Sequence, residues 1–313
     1  MDLFFTTLDR MAFLIALIAI GFILVKCKVV STGAAGILSR LENNVFLPAL
    51  VMGTFLKNFT LERLASTWTL FVAGFVVVGI SIPIAILCAR LCAKEAYLRR
   101  IYTYGLAISN FSFMGNAVVS ALFPDIFTEY LIFTLPFWIM IQLWAVPVLL
   151  IPDDSEKRSI GKSLKALANP MLIAMVIGMV LGLLELPLPS FATSLVSDTG
   201  ACMSPIAMLL TGITVAGIDL RATLKKRPIY FATFLRLIVF PLVGVGVLVL
   251  LPLPETLEMC VMCTLAMPLG LNTVVIPGAY GRDTTDAAGM ALISHVLSCV
   301  TIPLIFMLVQ YIL

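Results

Sequence analysis

Charged side chains are scarce in this chain of 313 residues. Lysine, arginine, aspartate and glutamate together account for 12% of the sequence, and histidine occurs once. A water-soluble domain carries about 25% charged residues, whereas here hydrophobic residues make up 61% and the mean hydropathy is +1.11. The chain therefore lacks the polar surface that a soluble protein needs. Its net charge of +3 is also too small to indicate a nucleic-acid partner.

Long polar segments are missing as well, with one exception between Pro152 and Pro170. Elsewhere, apolar runs of about 20 residues follow one another, and each is long enough to cross a bilayer as a helix. The short segments of alternating polarity from which membrane β-barrels are built are absent from the sequence. The pattern therefore predicts an all-α polytopic membrane protein.

Clusters of charge, proline and glycine divide the apolar sequence into ten predicted transmembrane helices. These spans are residues 8–26, 36–56, 67–90, 100–123, 128–151, 168–187, 197–219, 228–251, 256–280 and 286–312. Most of the 20 lysine and arginine residues then fall in the loops on one side, which the positive-inside rule assigns to the cytoplasm. Both termini are accordingly predicted on the periplasmic side.

Helix-breaking and polar residues recur at matching positions in the two halves of the chain. The matching pairs are Pro48 with Pro205, Pro83 with Pro241, Asn116 with Asn272, and Pro147 with Pro303. Residues 1–151 and 168–313 are therefore predicted to be two five-helix repeats, joined by a cytoplasmic linker at residues 152–167. An odd number of spans in each half turns the second repeat upside down, which is the inverted architecture of secondary transporters. Pro48, Pro205 and Pro277 are predicted to break the helices that contain them.

Two polar interruptions lie within the fourth and ninth predicted spans. In "SNFSFMGNAVV" Gly115 precedes Asn116, and in "MPLGLNTVVIPGAYG" Pro268 and Gly270 precede Asn272. Glycine and proline weaken a helix, and asparagine is well suited to cap the start of a new one. Two helix N-termini that meet at mid-membrane would form a seat for an anion. The alternative interpretation is two bent helices without a binding site.

Few ionisable residues lie within the predicted spans. Arg236 lies in the eighth span, where it either reaches the cytoplasmic headgroups or attracts an anionic substrate. His295, in the tenth span, is a candidate for carrying a coupling proton, or else a neutral ring hydrogen bonded between helices. Glu42 is predicted at the interfacial, inner end of the second span. Because no carboxylate falls clearly at mid-membrane, coupling would run through His295 or through a sodium ion held by oxygen ligands.

The seven cysteines are interpreted as small hydrophobic residues. Only Cys260 and Cys263 have the spacing of a metal or redox motif, and they lack a second cysteine pair and a neighbouring histidine. No metal site is therefore predicted.

The interrupted spans and their surroundings resemble the auxin efflux carrier family in its short bacterial form. The resemblance covers the whole chain and is carried by "FLPALVMGTF", "SNFSFMGNAVV", "RLIVFPL", "MPLGLNTVVIPGAYGRD" and "ISHVLSCVTIPL". It implies ten spans in two inverted halves, with helices four and nine broken and crossing. It also implies a scaffold of spans 1, 2, 6 and 7, a mobile transport part of spans 3–5 and 8–10 that moves as an elevator, and a homodimer. The long cytoplasmic loop of the plant carriers is missing, which favours a bacterial inner membrane protein.

Position by position, the resemblance places the crossing site at Asn110, Gly115, Asn116, Pro268 and Asn272. The family usually has glycine where this chain has Ser112 and proline where it has Ala117, so the shape of the first break is expected to differ. The residues predicted to bind substrate are Asn110, Ser112, Gly115, Asn116, Pro268, Asn272, Thr273 and Arg236, with His295 as the coupling candidate.

The predicted function is secondary transport of small organic anions, such as auxin, malate or other carboxylates, by alternating access. Predicted partners are a small carboxylate, the lipid bilayer and a second copy of the chain, and no cofactor is predicted besides a coupling proton or sodium ion. A passive channel and a sodium-coupled carrier of the bile-acid symporter type remain as alternatives. An intramembrane enzyme is not expected, because a lone histidine without mid-membrane carboxylates offers no catalytic cluster.

Overall fold

The computed structural model describes residues 2–59, 61–151, 170–185, 188–217, 219, 224–279 and 281–312. Within these residues all regular structure is helical, and the one β-type backbone pairing is an isolated bridge. The predicted all-α fold is confirmed. The cytoplasmic linker predicted at residues 152–167 lies outside the described residues.

The described part of the first half consists of α-helices with π-helical segments between some of them. The α-helices are α1 (Asp2–Lys26), α2 (Ala34–Leu41), α3 (Leu47–Asn58), α4 (Leu61–Cys92), α5 (Ala96–Ala107), α6 (Asn116–Leu122) and α7 (Phe127–Met140). The π-helical segments are Glu42–Phe46, Phe111–Gly115 and Ile141–Leu150, and a 3-10 turn at Pro124–Ile126 precedes α7.

The second half has the same kind of organisation. Its helices are α8 (Pro170–Leu183), α9 (Ser190–Ala201), α10 (Met203–Ala216), α11 (Arg227–Phe234), α12 (Phe240–Leu248), α13 (Glu255–Leu265), α14 (Asn272–Ala279) and α15 (Thr285–Ile312), and the π-helical segment Leu235–Val239 joins α11 to α12. The carboxylate of Asp283 accepts hydrogen bonds from the hydroxyl and the backbone N–H of Thr285, which fixes the start of α15. These bonds lower the pKa of Asp283.

Each predicted span overlaps one helix or successive helices, although the bounds differ, as where α9 begins seven residues before the seventh span. Length and apolar composition allow four helices of the described residues to cross a membrane: Thr67–Cys92, Ser190–Ala216, Arg227–Leu248 and Thr285–Ile312. A fifth results if Pro124–Met140 and Leu143–Leu150, bent by 46°, count as one span. The fourth and ninth predicted spans do not qualify, because a non-helical stretch divides each of them into shorter helices.

The three prolines predicted to break helices differ in their effects. Pro48 is the second residue of α3, directly after a π-helical segment, and the helical run from residue 34 to 58 is continuous. Pro205 is the third residue of α10, which the non-helical Cys202 separates from α9. Pro277 lies inside α14 without ending it. The prediction is therefore wrong for Pro48 and Pro277, because membrane helices tolerate proline where other groups satisfy the freed carbonyl.

Helices α1 and α10 pack backbone against backbone. A Cβ atom added to Gly212 would lie 2.0 Å from the carbonyl oxygen of Ile18, so only glycine allows this approach. The ammonium group of Lys26 donates a hydrogen bond to the carbonyl of Ala216 at 3.2 Å, which joins the last residues of both helices. The two helices therefore run in the same direction.

Helices α3 and α8 form a second parallel pair. A Cβ atom on Gly178 would lie 2.7 Å from the carbonyl oxygen of Met52, and one on Gly182 would lie 2.7 Å from that of Phe55. Because the contact moves towards the C-terminus on both helices together, α3 and α8 also run in the same direction.

Replacing Gly212 with valine is expected to lower the unfolding temperature of the purified protein, because α1 and α10 must separate to admit the side chain. Overpacking a protein interior lowers the free energy of unfolding by about 1–3 kcal/mol. The loss at Gly212 is expected near the upper end of this range, because the new side chain would clash with backbone atoms. Gly246→Val is the matched control, since nothing lies within 4 Å of a Cβ at that position. Equal unfolding temperatures for the two variants in detergent would contradict the close approach.

Candidate functional site

The first interruption separates α5 from the helical segment Phe111–Leu122. The backbone N–H of Ile108 still donates to the carbonyl of Tyr104 at 2.8 Å, and the chain then leaves the helical path. Asn110, at φ −78° and ψ 47°, precedes the first π-helical residue. The break therefore occupies residues 108–110.

This position corrects the sequence prediction, which placed the break at Gly115 and Asn116. Both residues have helical backbone angles, and Asn116 makes no capping bond with its side chain. Gly115 is explained by a close contact instead, because a Cβ atom there would lie 2.3 Å from the hydroxyl oxygen of Tyr130. That hydroxyl donates to the carbonyl of Phe111 at 2.8 Å. Glycine thus admits a side chain from α7 and does not mark the helix end.

The second interruption, residues 266–271, lies between α13 and α14. Pro268 and Gly270 lie within it and α14 begins at Asn272, so the break predicted from these residues is confirmed. A Cβ atom on Gly270 would lie 2.7 Å from the carbonyl oxygen of Ile108. Glycine at this position therefore lets the second interruption lie directly on the first.

The two interruptions bind to each other through their backbones. Ser109 and Leu269 form an isolated antiparallel bridge. The backbone N–H of Asn110 donates to the carbonyl of Pro268 at 2.8 Å. Non-helical backbone inside a membrane protein is costly unless its polar groups find partners, and each interruption supplies such partners to the other.

Arg236 connects the ends of the two helices that lead into the interruptions. Its side chain is 2% exposed, and its guanidinium donates to the carbonyls of Leu106 at 3.3 Å, Thr264 at 2.8 Å and Met267 at 3.0 Å. Leu106 lies in the last turn of α5 and Thr264 in the last turn of α13. The last carbonyls of a helix lack partners within it and carry partial negative charge. One buried cation therefore satisfies both helix ends.

These hydrogen bonds exclude one of the two predicted alternatives for Arg236. A side chain that reaches the headgroups would be exposed at its tip, whereas all three nitrogens of this guanidinium bind buried carbonyls. The snorkelling interpretation is therefore wrong.

His295 joins α15 to the first interruption. Its ring is 1% exposed, and Nε2 lies 2.7 Å from the side-chain nitrogen of Asn110. On the other side of the ring, Nδ1 lies 2.6 Å from the carbonyl oxygen of Ala291, one turn back on α15. The structure thus brings together two predicted site residues that are 185 positions apart in the chain.

The side chains of the second interruption are also engaged. The amide nitrogen of Asn272 donates to the hydroxyl of Tyr104 at 2.9 Å, so it contacts α5. The hydroxyl of Thr273 donates to the carbonyl of Gly270 at 2.8 Å. Asn272 therefore begins α14, as predicted, while its amide group links the two broken helices.

Three oxygen atoms near the first interruption are buried without a hydrogen-bond partner among the described residues. They are Oγ of Ser109, Oδ1 of Asn110 and Oδ1 of Asn116. Ser112, another predicted site residue, is buried in the π-helical segment between them. A buried polar atom without a partner costs about 1–3 kcal/mol, and native proteins rarely keep one without a ligand, ion or water. Unpaired oxygens in one short stretch indicate a binding site.

Sequence reasoning missed Tyr104, Ser109 and Tyr130. Tyr104 and Tyr130 are fully buried, and their hydroxyls bind Asn272 and the Phe111 carbonyl respectively. The available signal was a hydroxyl group in the middle of an apolar helix, because such a group needs a partner when it is buried.

Glu42, predicted at the inner end of the second span, is enclosed by neighbouring helices. Its side chain is fully buried in the π-helical segment after α2, and neither carboxylate oxygen has a partner within the described residues. That segment packs against α8, α9 and α10.

Cys260 and Cys263 are buried, and no group of three or more metal-ligating side chains occurs in the described part of the chain.

An all-helical apolar chain with paired, mutually bound helix interruptions has the features of a membrane transport protein. A family model described as membrane transport protein matches residues 6–163 and again residues 159–306. The chain belongs to this family, which is that of the auxin efflux carriers. It is an integral membrane protein. No curated protein shows significant similarity to the chain.

Proposed function

We propose that the protein is a secondary transporter of small organic anions and that the substrate binds where the two interruptions meet. The observation that carries this proposal is that three buried oxygens, on Ser109, Asn110 and Asn116, have no hydrogen-bond partner among the described residues, in the segment whose backbone pairs with the second broken helix. Transporters of many families bind their substrates at such discontinuous helices.

The proposed topology has ten spans in two inverted five-helix repeats, with helices four and nine crossing at their breaks. The family model matches twice, once in each half, which supports a repeat. The antiparallel bridge between Ser109 and Leu269 supports crossing segments of opposite direction. In this topology spans one and seven run the same way, as do spans two and six, in agreement with the parallel pairs α1 with α10 and α3 with α8.

An anionic substrate is supported by the buried charge of Arg236. The carbonyls that bind its guanidinium are neutral, and within the described residues no carboxylate pairs with it. A buried cation without a counter-ion attracts negative charge, because the low dielectric of the interior strengthens the interaction. The same charge opposes a cationic substrate.

Transport by alternating access requires one part of the protein to move against another. We assign spans 1, 2, 6 and 7 to a scaffold and spans 3–5 and 8–10 to a transport part, with a homodimer formed in the bacterial inner membrane and both termini in the periplasm. A cavity of about 350 Å³ lies between α2 and α10 on one side and α14 on the other, lined by Ser39, Thr214 and Val274 among others. It supports a substrate path along the boundary between the two parts.

Sodium coupling is the second candidate. The unpaired groups on Ser109, Asn110 and Asn116 are all oxygens, and oxygen ligands are those that hard cations prefer. Proton coupling through His295 is the competing mechanism.

Counterflow in proteoliposomes tests the proposal. Vesicles loaded with unlabelled malate are expected to take up labelled malate faster than empty vesicles, and uptake should saturate. A passive channel would show no acceleration, and dependence on external sodium would favour the second candidate. Absence of saturable uptake across a panel of mono- and dicarboxylates, by protein that remains folded and monodisperse, would overturn the assignment.

A further inference from the structure

We propose that His295 and Asn110 form a proton-operated switch that determines which atoms the site presents to its ligand. With the imidazole neutral, Asn110 presents its carboxamide oxygen. With the imidazole protonated, the amide reverses, presents its NH₂ group and favours an anion. The proposal rests on the proposed function, and it adds the coupling ion and the way in which that ion controls binding.

The tautomer of His295 follows from its partner on α15. Nδ1 lies 2.6 Å from the carbonyl oxygen of Ala291, and a carbonyl can only accept a hydrogen bond. Nδ1 therefore carries a hydrogen. The hydroxyl of Ser294 also donates to this oxygen, at 3.2 Å.

The orientation of Asn110 follows from that tautomer. In a neutral ring with hydrogen on Nδ1, Nε2 can only accept. The group that faces it at 2.7 Å must then be the amide NH₂ of Asn110, as the structure has it. The other end of the amide, Oδ1, is left buried without a partner among the residues that the structure describes. The neutral state thus presents a bare acceptor oxygen, which repels a carboxylate.

Protonation reverses this arrangement. A proton from water adds to the Nε2 lone pair, forms an N–H bond and gives the ring one positive charge. Nε2 must then donate, so Oδ1 of Asn110 turns towards it and the NH₂ group takes the place of the oxygen. Both ends of the amide have similar size, so the reversal needs no change in packing. An anion then meets two N–H donors and an additional positive charge nearby.

The surroundings make proton and anion binding depend on each other. The helices packed against α15 are α1, α5, α10, α11 and α14, together with the π-helical segment that contains Arg236. α10 and α14 bear no ionisable side chain. The charged residues of the other packed helices are Asp2, Asp9, Arg10 and Lys26 of α1, Arg99 and Arg100 of α5, and Arg227 of α11. The buried ionisable groups are Tyr102 and Tyr104 of α5 and Arg236. Two buried cations repel each other, and an anion relieves that repulsion.

The consequence is cotransport of one proton with the anion. If only the protonated switch binds the anion, the apparent affinity is proportional to the fraction of the protein that is protonated. That fraction decreases about tenfold for each pH unit above the titration midpoint of His295. By reciprocity, a bound anion raises the protonated fraction at constant pH.

The chain contains one histidine, so a nitrogen-15 NMR titration of the labelled ring reports on the switch directly. Protein with a histidine-free affinity tag, in lipid nanodiscs, is expected to show hydrogen on Nδ1 and none on Nε2 at high pH. Hydrogen on Nε2 in the neutral ring would overturn the proposal, because Asn110 would then already present its NH₂ group.

Variants of Asn110 test the reversal without any ligand. Asn110→Leu cannot accept from the protonated ring and is expected to lower the titration midpoint by about one pH unit or more. Asn110→Asp supplies a permanent acceptor and is expected to raise it by a similar amount. Ser298→Ala is the matched control, since within the described part of the chain that hydroxyl binds only the backbone carbonyl of His295 and the sulfur of Met114. Unchanged midpoints in both Asn110 variants would refute the switch.

Malate binding, measured by calorimetry where malate stays fully ionised, tests the coupling. The wild type is expected to bind about tenfold more weakly for each pH unit above the midpoint, whereas His295→Gln should bind with the same affinity throughout. Wild-type affinity that does not change with pH would refute the coupling and leave the proposed function intact. Failure of all carboxylates to bind, with the NMR results as expected, would refute the anion assignment while the switch stands.

Discussion

Arg236→Met is expected to yield little folded protein and no measurable transport. The variant leaves the carbonyls of Leu106, Thr264 and Met267 buried without their donor. Each such loss costs about 1–3 kcal/mol, more when the donor is charged, and the total is a large part of the ~5–15 kcal/mol that stabilises a typical protein. Size-exclusion chromatography and thermal unfolding in detergent measure the effect.

The variant Arg236→Lys separates the contribution of the planar, forked guanidinium group from that of its positive charge, and Arg227→Met is the control. Arg236→Lys keeps the charge but has one nitrogen in place of three, so it cannot reach carbonyls on three sides and is expected to be intermediate. Arg227→Met removes an exposed arginine at the start of α11, one residue before the predicted span that contains Arg236, and should behave as wild type. Wild-type stability of Arg236→Met would mean that the helix ends do not depend on this residue.

Asn116→Ala is expected to abolish malate uptake without destabilising the protein. Oδ1 of Asn116 is buried and has no partner in the described residues, so its removal relieves a cost in the ligand-free state. The hydroxyl group of malate can donate a hydrogen bond to this oxygen, and losing a substrate contact to a buried polar group reduces turnover strongly. The combination of retained unfolding temperature and lost transport is the result that marks a binding residue.

Thr301→Val provides the matched control for Asn116→Ala. Its hydroxyl is another buried oxygen without a partner in the described part of the chain, about two turns beyond His295 on α15. The variant should keep both stability and transport. Asn272→Ala is expected to lose transport too, but with a small loss of stability of about 1 kcal/mol, because its bond to Tyr104 is removed. Normal uptake by both asparagine variants would remove the site from the interruptions.

The second interruption could be predicted from sequence because its cause is local. Proline and glycine act on their own backbone, and Pro268 and Gly270 lie in the break that they predict. The first interruption has no such signal, since Ile108, Ser109 and Asn110 are compatible with helix. Its position is set by the antiparallel bridge to Leu269, a contact that sequence spacing does not reveal.

For the polar residues of the site, the sequence likewise revealed one part and not the other. Asn272, Arg236 and His295 stood out because polar groups are costly in an apolar helix, whereas Asn110 was identified through the family resemblance, so all four residues were readable from the sequence. Their partners were not. Arg236 binds carbonyls on two other helices, and Asn110 and His295 meet across 185 positions of the chain.

The sequence by itself determined that this protein is helical, that it belongs in a membrane and where its helices lie. It could do so because hydrophobicity and helix-breaking residues act over short distances. Only the tertiary structure decided that the two interruptions bind each other, that Arg236 joins two helix ends, and that the lone histidine lies against Asn110. The physical reason is that a buried hydrogen bond depends on the positions of both partners, which the packing of distant helices alone brings together.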